Sequence, residues 1–68
     1  MAESLGNRLR ELRAERGLTQ AALAERVGVS RKSVNTIENG VFIPSTLLAL
    51  KLARALGRPV EAIFFLSD

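Results

Sequence analysis

The chain has 68 residues, with ten Lys and Arg against seven Asp and Glu, a formal net charge of +3, and no cysteine or histidine. A chain this short buries only about 60% of its unfolded surface, and the missing residues remove disulfides and the commonest metal ligands as sources of extra stability. Tyrosine is absent too and the carboxylates are scattered along the chain, so neither an enzyme nor a bound metal or cofactor is expected.

What remains for stability is good helix packing and self-association. No apolar run approaches the roughly 20 residues of a membrane span, and the start lacks a secretory h-region. The expectation is one soluble, cytoplasmic domain over residues 1–68 with no membrane association. Eight of the ten basic residues are arginine, which is suited to bidentate phosphate and guanine contacts. Arginine richness is equally a genomic composition bias, so the charge supports nucleic-acid binding only alongside a motif.

Along the chain, Met1 and Ala2 are expected to be loosely held. A first helix is expected from about Ser4, with Leu5, Leu9 and Leu12 as its inward stripe and Gly17 at its end. Thr19 is a good N-cap for a second helix, in which Leu23, Ala24 and Val27 recur at helical spacing. Gly28 can take the positive φ that turns the chain sharply. Ser30 caps a third helix with Val34 and Ile37 facing in, and Asn39-Gly40 reads as a positive-φ pair that ends it. Pro44 makes residues 41–44 a loop. Ser45 opens a fourth helix to about Leu56, and Pro59 a short fifth from Val60 to Phe64 or Phe65. No strand pattern is evident, so the fold class is all-α, a compact five-helix array.

Residues 19–40 therefore form two short helices around a tight turn, a helix-turn-helix whose second helix projects one face outward. That face carries Arg31, Lys32, Ser33, Asn35 and Thr36, side chains able to hold phosphates or read base edges. The stretch resembles the helix-turn-helix of the phage-repressor and Cro-like regulators, the XRE family. The likeness extends through L-R-E-L-R-A-E-R-G-L-T-Q before it, I-E-N-G-x-x-x-P-S after it, and A-L-K-L-A-R-A-L-G beyond. It covers nearly the whole chain and implies a five-helix lambda-repressor-like DNA-binding domain.

The resemblance assigns roles residue by residue. Arg31 and Lys32 fall where the family makes its major-groove contacts; as cations at a helix N-terminus they oppose the dipole by about 0.3–1 kcal/mol each, which phosphate or guanine would offset. Ser30 caps that helix, while Asn35 and Thr36 lie further along and can reach bases or a thymine methyl. Gln20 is expected to touch a phosphate and to buttress Arg31. Arg13 and Glu38 are implied to form a partly buried ion pair that sets the angle of the recognition helix, with Arg13 also able to face a phosphate. Asn39 could donate to phosphate or serve only as a helix terminus. Phe42 could rest on the DNA backbone or fold over the core.

The last third suggests a second surface. Ala49, Leu50, Ala53 and Leu56 read as the inward stripe of the fourth helix, with Leu48, Leu52 and Ala55 displaced around it. Thr46 and Leu47 invert the family tendency, which is apolar then polar. Phe64, Phe65 and Leu66 follow in a row that one face cannot bury. These features suggest a homodimer through residues 45–68, built on Leu48, Leu52, Phe65 and Leu66. The function expected is a sequence-specific regulator, most simply a repressor, that binds a pseudo-palindromic operator in double-stranded DNA. Alternatives are an antitoxin gripping a protein partner, a restriction-modification controller, or an interaction module without DNA binding.

Overall fold

The computed structural model describes residues 3–67, so Met1 and Ala2 lie outside the described residues. The element order is β1 (Ser4–Asn7), α1 (Leu9–Glu15), α2 (Gln20–Val27), α3 (Arg31–Glu38), α4 (Thr46–Leu56), α5 (Val60–Ile63) and β2 (Phe64–Ser67). The core between the helices is built from Leu9, Leu12, Leu23, Ala24, Val27, Val34, Ile37, Leu52, Leu56 and Ile63. Helix starts follow local chemistry. Thr19, Ser30 and Ser45 each accept a backbone N–H three residues on, from Ala22, Ser33 and Leu48. Gly28, at φ 74°, reverses the chain between α2 and α3.

Among the described residues five helices form as expected, but the fold is not purely all-α. Residues expected to begin the first helix and to extend the last instead pair as a small antiparallel sheet, with Leu5 opposite Leu66 and Gly6 opposite Phe65. Phe64 and Phe65 favour extended backbone, while Gly6 is a poor helix former. The first helix therefore starts later, where the Asn7 carboxamide oxygen accepts the Leu9 amide at 3.0 Å. The Arg8 amide donates to the Ile63 carbonyl at 2.8 Å and ties the sheet to the end of α5. At the end of α3 only Gly40 has positive φ; Asn39 keeps right-handed geometry at φ −86°.

The fourth helix turns Leu56 and Ala53 to the core as expected, but Leu52 takes the inward place expected of Leu50. It packs against α2 and α5 through the line Leu48, Leu52 and Leu56, of which Leu52 and Leu56 are fully buried. Leu50 is two residues from Leu52, about 200° around the helix, and so stands 56% exposed. Leu52 is thus a core residue and cannot form a dimer contact, and half-buried Leu48 packs against the same core. Phe65 is engaged within its own chain: its ring lies against Gly6 and 5.3 Å from the Arg8 guanidinium carbon. Of the four residues expected at an interface, Leu66 is 73% and Phe65 40% exposed, while Leu48 and Leu52 face the core.

A Cβ at Gly6 would fall on the Phe65 ring edge. Gly6→Ala is therefore expected to lower stability by about 1–3 kcal/mol, the usual cost of overpacking. Most of that loss should vanish when Phe65→Ala is already present. Additive effects of the two changes in thermal unfolding would contradict this packing.

Candidate nucleic-acid interface

The site is assembled around one carboxylate. The Glu38 side chain is fully buried in the last turn of α3, facing donors from α1 and α2. Arg13 Nε donates to its Oε2 at 2.7 Å and Arg13 Nη2 to its Oε1 at 3.3 Å. Gln20 Nε2 donates to Oε1 at 3.0 Å, and Arg10 Nε reaches the same oxygen at 3.4 Å. Arg13 Nη1 is spent on the Leu18 carbonyl at 2.8 Å, in the segment that leads into α2. The implied Arg13–Glu38 pair is therefore present, with α1, α2 and α3 all fastened to it. Burial alone would push the Glu38 carboxyl up, but the hydrogen bonds from Arg13, Gln20 and Arg10 and the charge of Arg13 outweigh it and hold its pKa below the ordinary value. Each of the three guanidinium nitrogens of Arg13 makes a hydrogen bond within the protein and its side chain is 15% exposed, which leaves one N–H on each of Nη1 and Nη2 for a phosphate.

The outward face of α3 divides into free and fixed side chains. Arg31 and Lys32 are exposed and make no hydrogen bond or ion pair among the described residues; with Gln20 and Asn35 they line an open polar hollow. Ser30 and Ser33 are joined by hydroxyl contact at 3.1 Å, and Ser30 also caps the helix, so both belong first to its N-terminus. The Thr36 hydroxyl donates back to the Ser33 carbonyl at 3.0 Å. That leaves its methyl group and an oxygen lone pair for any ligand. The Asn35 oxygen accepts from Gln20 at 3.2 Å and from Asn39 at 3.3 Å. Gln20 thus buttresses Asn35 and Glu38, not Arg31 as expected.

The arrangement suits an extended polyanion: mobile cations at the head of α3, short polar side chains behind them, and α3 held at a fixed angle. Comparison with known proteins identifies the fold's kin. Residues 9–63 match the family model described as helix-turn-helix. The chain is 52% identical over 61 residues to an uncharacterized HTH-type transcriptional regulator of Methanothermobacter thermautotrophicus, covering 88% of each. It is 45% identical over 62 residues to YgzD of Bacillus subtilis, another uncharacterized HTH-type transcriptional regulator, covering 91% of this chain and 94% of that one. The chain belongs to the Cro and phage-repressor type helix-turn-helix family. A solved structure, the restriction-modification controller protein C.AhdI from Aeromonas hydrophila, superposes with a TM-score of 0.77 at 42% identity, over 81% of this chain and 83% of that one. These helix-turn-helix relatives are regulators of transcription, not enzymes. No helix among the described residues is long and apolar enough to cross a membrane.

Two residues of this helix-turn-helix site carry roles that sequence reasoning did not assign. Asn7 donates to the Ile37 carbonyl at 2.9 Å and so ties the head of α1 to α3. Arg10, with a side chain 65% exposed, touches Glu38 and donates to Asn39 Oδ1 at 3.3 Å. Arg10 and Arg13 are three apart on α1, a spacing that places them on one face. That face was legible, but not which of the two would be buried.

Removing Arg13 leaves Glu38 buried without its main partner, so Arg13→Ala should cost about 3–5 kcal/mol. Exposed Arg16 forms no ion pair among the described residues, and Arg16→Ala should change stability by less than about 0.5 kcal/mol; equal melting temperatures for the two variants would refute the difference. The depressed Glu38 pKa adds stability that is full above the ordinary carboxylate value of about 4.3 and lost as pH falls through the lower folded value. The stability gap between wild type and Glu38→Gln should accordingly narrow below about pH 4. A gap that stays constant from neutral to acid pH would contradict this.

Proposed function

We propose that the chain binds double-stranded DNA sequence-specifically, as a twofold homodimer on a pseudo-palindromic operator, and represses transcription there by blocking polymerase. The observation that carries this reading is the pair Arg31 and Lys32: exposed, without partners among the described residues, and set at the helix end where positive charge is unfavourable. A phosphate or guanine relieves that cost. Arg31, Lys32, Asn35 and Thr36 face bases, while Asn39, exposed Arg10 and the first amides of α2, the Gln20 backbone N–H among them, meet phosphates and set the register, since both side-chain hydrogens of Gln20 are spent on Glu38 and Asn35. Two recognition helices would enter successive major grooves about 34 Å apart.

For the dimer, the apolar surface that favours a second copy is revised from the expected one. Leu5, Ile43, Leu50 and Phe64 line one apolar groove, and Leu66 stands opposite Leu5 in the sheet. Ile43 and Leu47, at 70% and 65% exposure, extend this surface. Leu47 sits where the family tends to be polar, so the excess apolar surface is a feature of this chain. A controller of a restriction-modification operon is a second reading, favoured by the 42% identity to C.AhdI; it keeps the same DNA chemistry.

The test is a titration of random-sequence duplex and of the DNA upstream of its own coding region, at several salt concentrations. Binding to the upstream duplex about 10³-fold tighter or more is expected, with a logarithmic salt slope of about −0.9 per phosphate contact. Arg31→Ala should weaken the specific complex by about 5- to 150-fold. Leu50→Glu should yield monomers in sedimentation equilibrium. Salt-independent binding, or none to any duplex, would leave the interaction-module reading in its place.

A further inference from the structure

The hydrogen bonds behind α3 determine which way the Asn35 carboxamide faces. At one end of the relay stands Glu38, a buried carboxylate that can only accept, so the Gln20 atom 3.0 Å from it is the donor Nε2. That nitrogen has a second hydrogen, and the atom of Asn35 it meets at 3.2 Å is therefore the oxygen. At the other end stands Arg10, which can only donate, so the Asn39 atom 3.3 Å from it is the oxygen. The Asn39 nitrogen then faces Asn35 at 3.3 Å, and again the atom it meets is the oxygen. Two chemically unambiguous groups, one at each end, give the same orientation. Both lone pairs of Asn35 Oδ1 are occupied, and its Nδ2 makes no hydrogen bond among the described residues. It borders the polar hollow beside Arg31 and Lys32.

We propose that Asn35 reads DNA as a donor only, because Gln20 and Asn39 hold its carbonyl oxygen, and so selects guanine and rejects adenine at one position of each half-site. This rests on the sequence-specific reading above. A free asparagine favours adenine by a bidentate pairing in which its oxygen accepts from N6 and its nitrogen donates to N7. With the oxygen withdrawn, the adenine N6 amino group meets only N–H bonds. Guanine offers two adjacent acceptors in the major groove, N7 and O6, to the two hydrogens of Nδ2. Arg31 and Lys32 also only donate, so the part of the α3 face around Asn35 and the helix start favours acceptor-rich edges.

The test is enrichment of bound sequences from a randomised duplex pool by the full chain. The position governed by Asn35 is then located as the one whose base preference disappears in Asn35→Ala. Guanine is expected there, and replacing it with 7-deazaguanine should weaken wild-type binding by about tenfold while leaving Asn35→Ala unaffected. The combined variant Gln20→Ala with Asn39→Ala frees the oxygen. It should bind all sequences more weakly through the lost Asn39 phosphate contact, yet its guanine-to-adenine ratio at that single position should fall toward one. Adenine preferred there by the wild type, a 7-deazaguanine duplex bound as well as guanine, or no position that depends on Asn35 would each overturn the proposal. Failure to enrich any sequence would instead overturn the sequence-specific reading, and this inference with it. The 7-deazaguanine comparison on wild type stands if the double variant does not fold.

Discussion

The arrangement depends on one buried charge. A carboxylate without water must be paired and hydrogen-bonded or be neutralised, and Glu38 has an additional handicap. It lies in the last turn of α3, at the negative end of the helix dipole. Guanidinium and carboxamide donors from α1 and α2 answer both demands, and in doing so they fix where α3 ends relative to its neighbours. Val34 and Ile37 set how deeply α3 sits in the core, since apolar contacts are not directional. The hydrogen bonds at Glu38 set its angle, because they are. A buried pair of this kind contributes orientation more surely than it contributes net stability.

How much of this was legible in the sequence follows from how local each feature is. The caps at Thr19, Ser30 and Ser45 and the turn at Gly28 involve atoms within a few residues of one another, so residue type and spacing were enough. The Arg13–Glu38 pair spans α1 and α3 and came only through family resemblance. The sheet was not legible because its strands are four residues each and come from opposite ends of the chain. Leu5 fits both a helical stripe from Leu9 and an alternating strand, and only the presence of β2 decides between them.

The fourth helix illustrates a different limit. Its sequence, T-L-L-A-L-K-L-A-R-A-L, is apolar over most of its circumference. Periodicity then identifies a helix without saying which side is inside. The neighbours decide: α2 and α5 meet Leu52 and Leu56, and Leu50 is left outside. For this reason Leu50, expected in the inward stripe, stands outside, and Leu52, expected at a dimer surface, lies in the core. In the polar network, the four-residue spacing of Asn35 and Asn39 was visible as a possible helix-face pair. The contribution of Gln20 from another helix was not.

The outward face of α3 has two kinds of side chain, and in the proposed complex with DNA they suit different stages of binding. Arg31 and Lys32 are long and unrestrained, so they can attract a polyanion from a distance and find phosphates or bases without demanding geometry. Ordering them costs rotamer entropy at the moment of contact, on the order of 0.5–1.5 kcal/mol each. Ser33, Asn35 and Thr36 are short and already tied by hydrogen bonds within the protein. They lose little freedom on binding, and a wrong base cannot be accommodated by simple rotation of an amide that Gln20 and Asn39 hold. In the proposed complex the restrained residues are therefore better suited to discriminate between bases, and the unrestrained ones add attraction to the contacts they make. The same carboxylate that positions α3 also orients Gln20, and through it Asn35, so in this chain the support of the fold and the chemistry of the reading face share one set of hydrogen bonds.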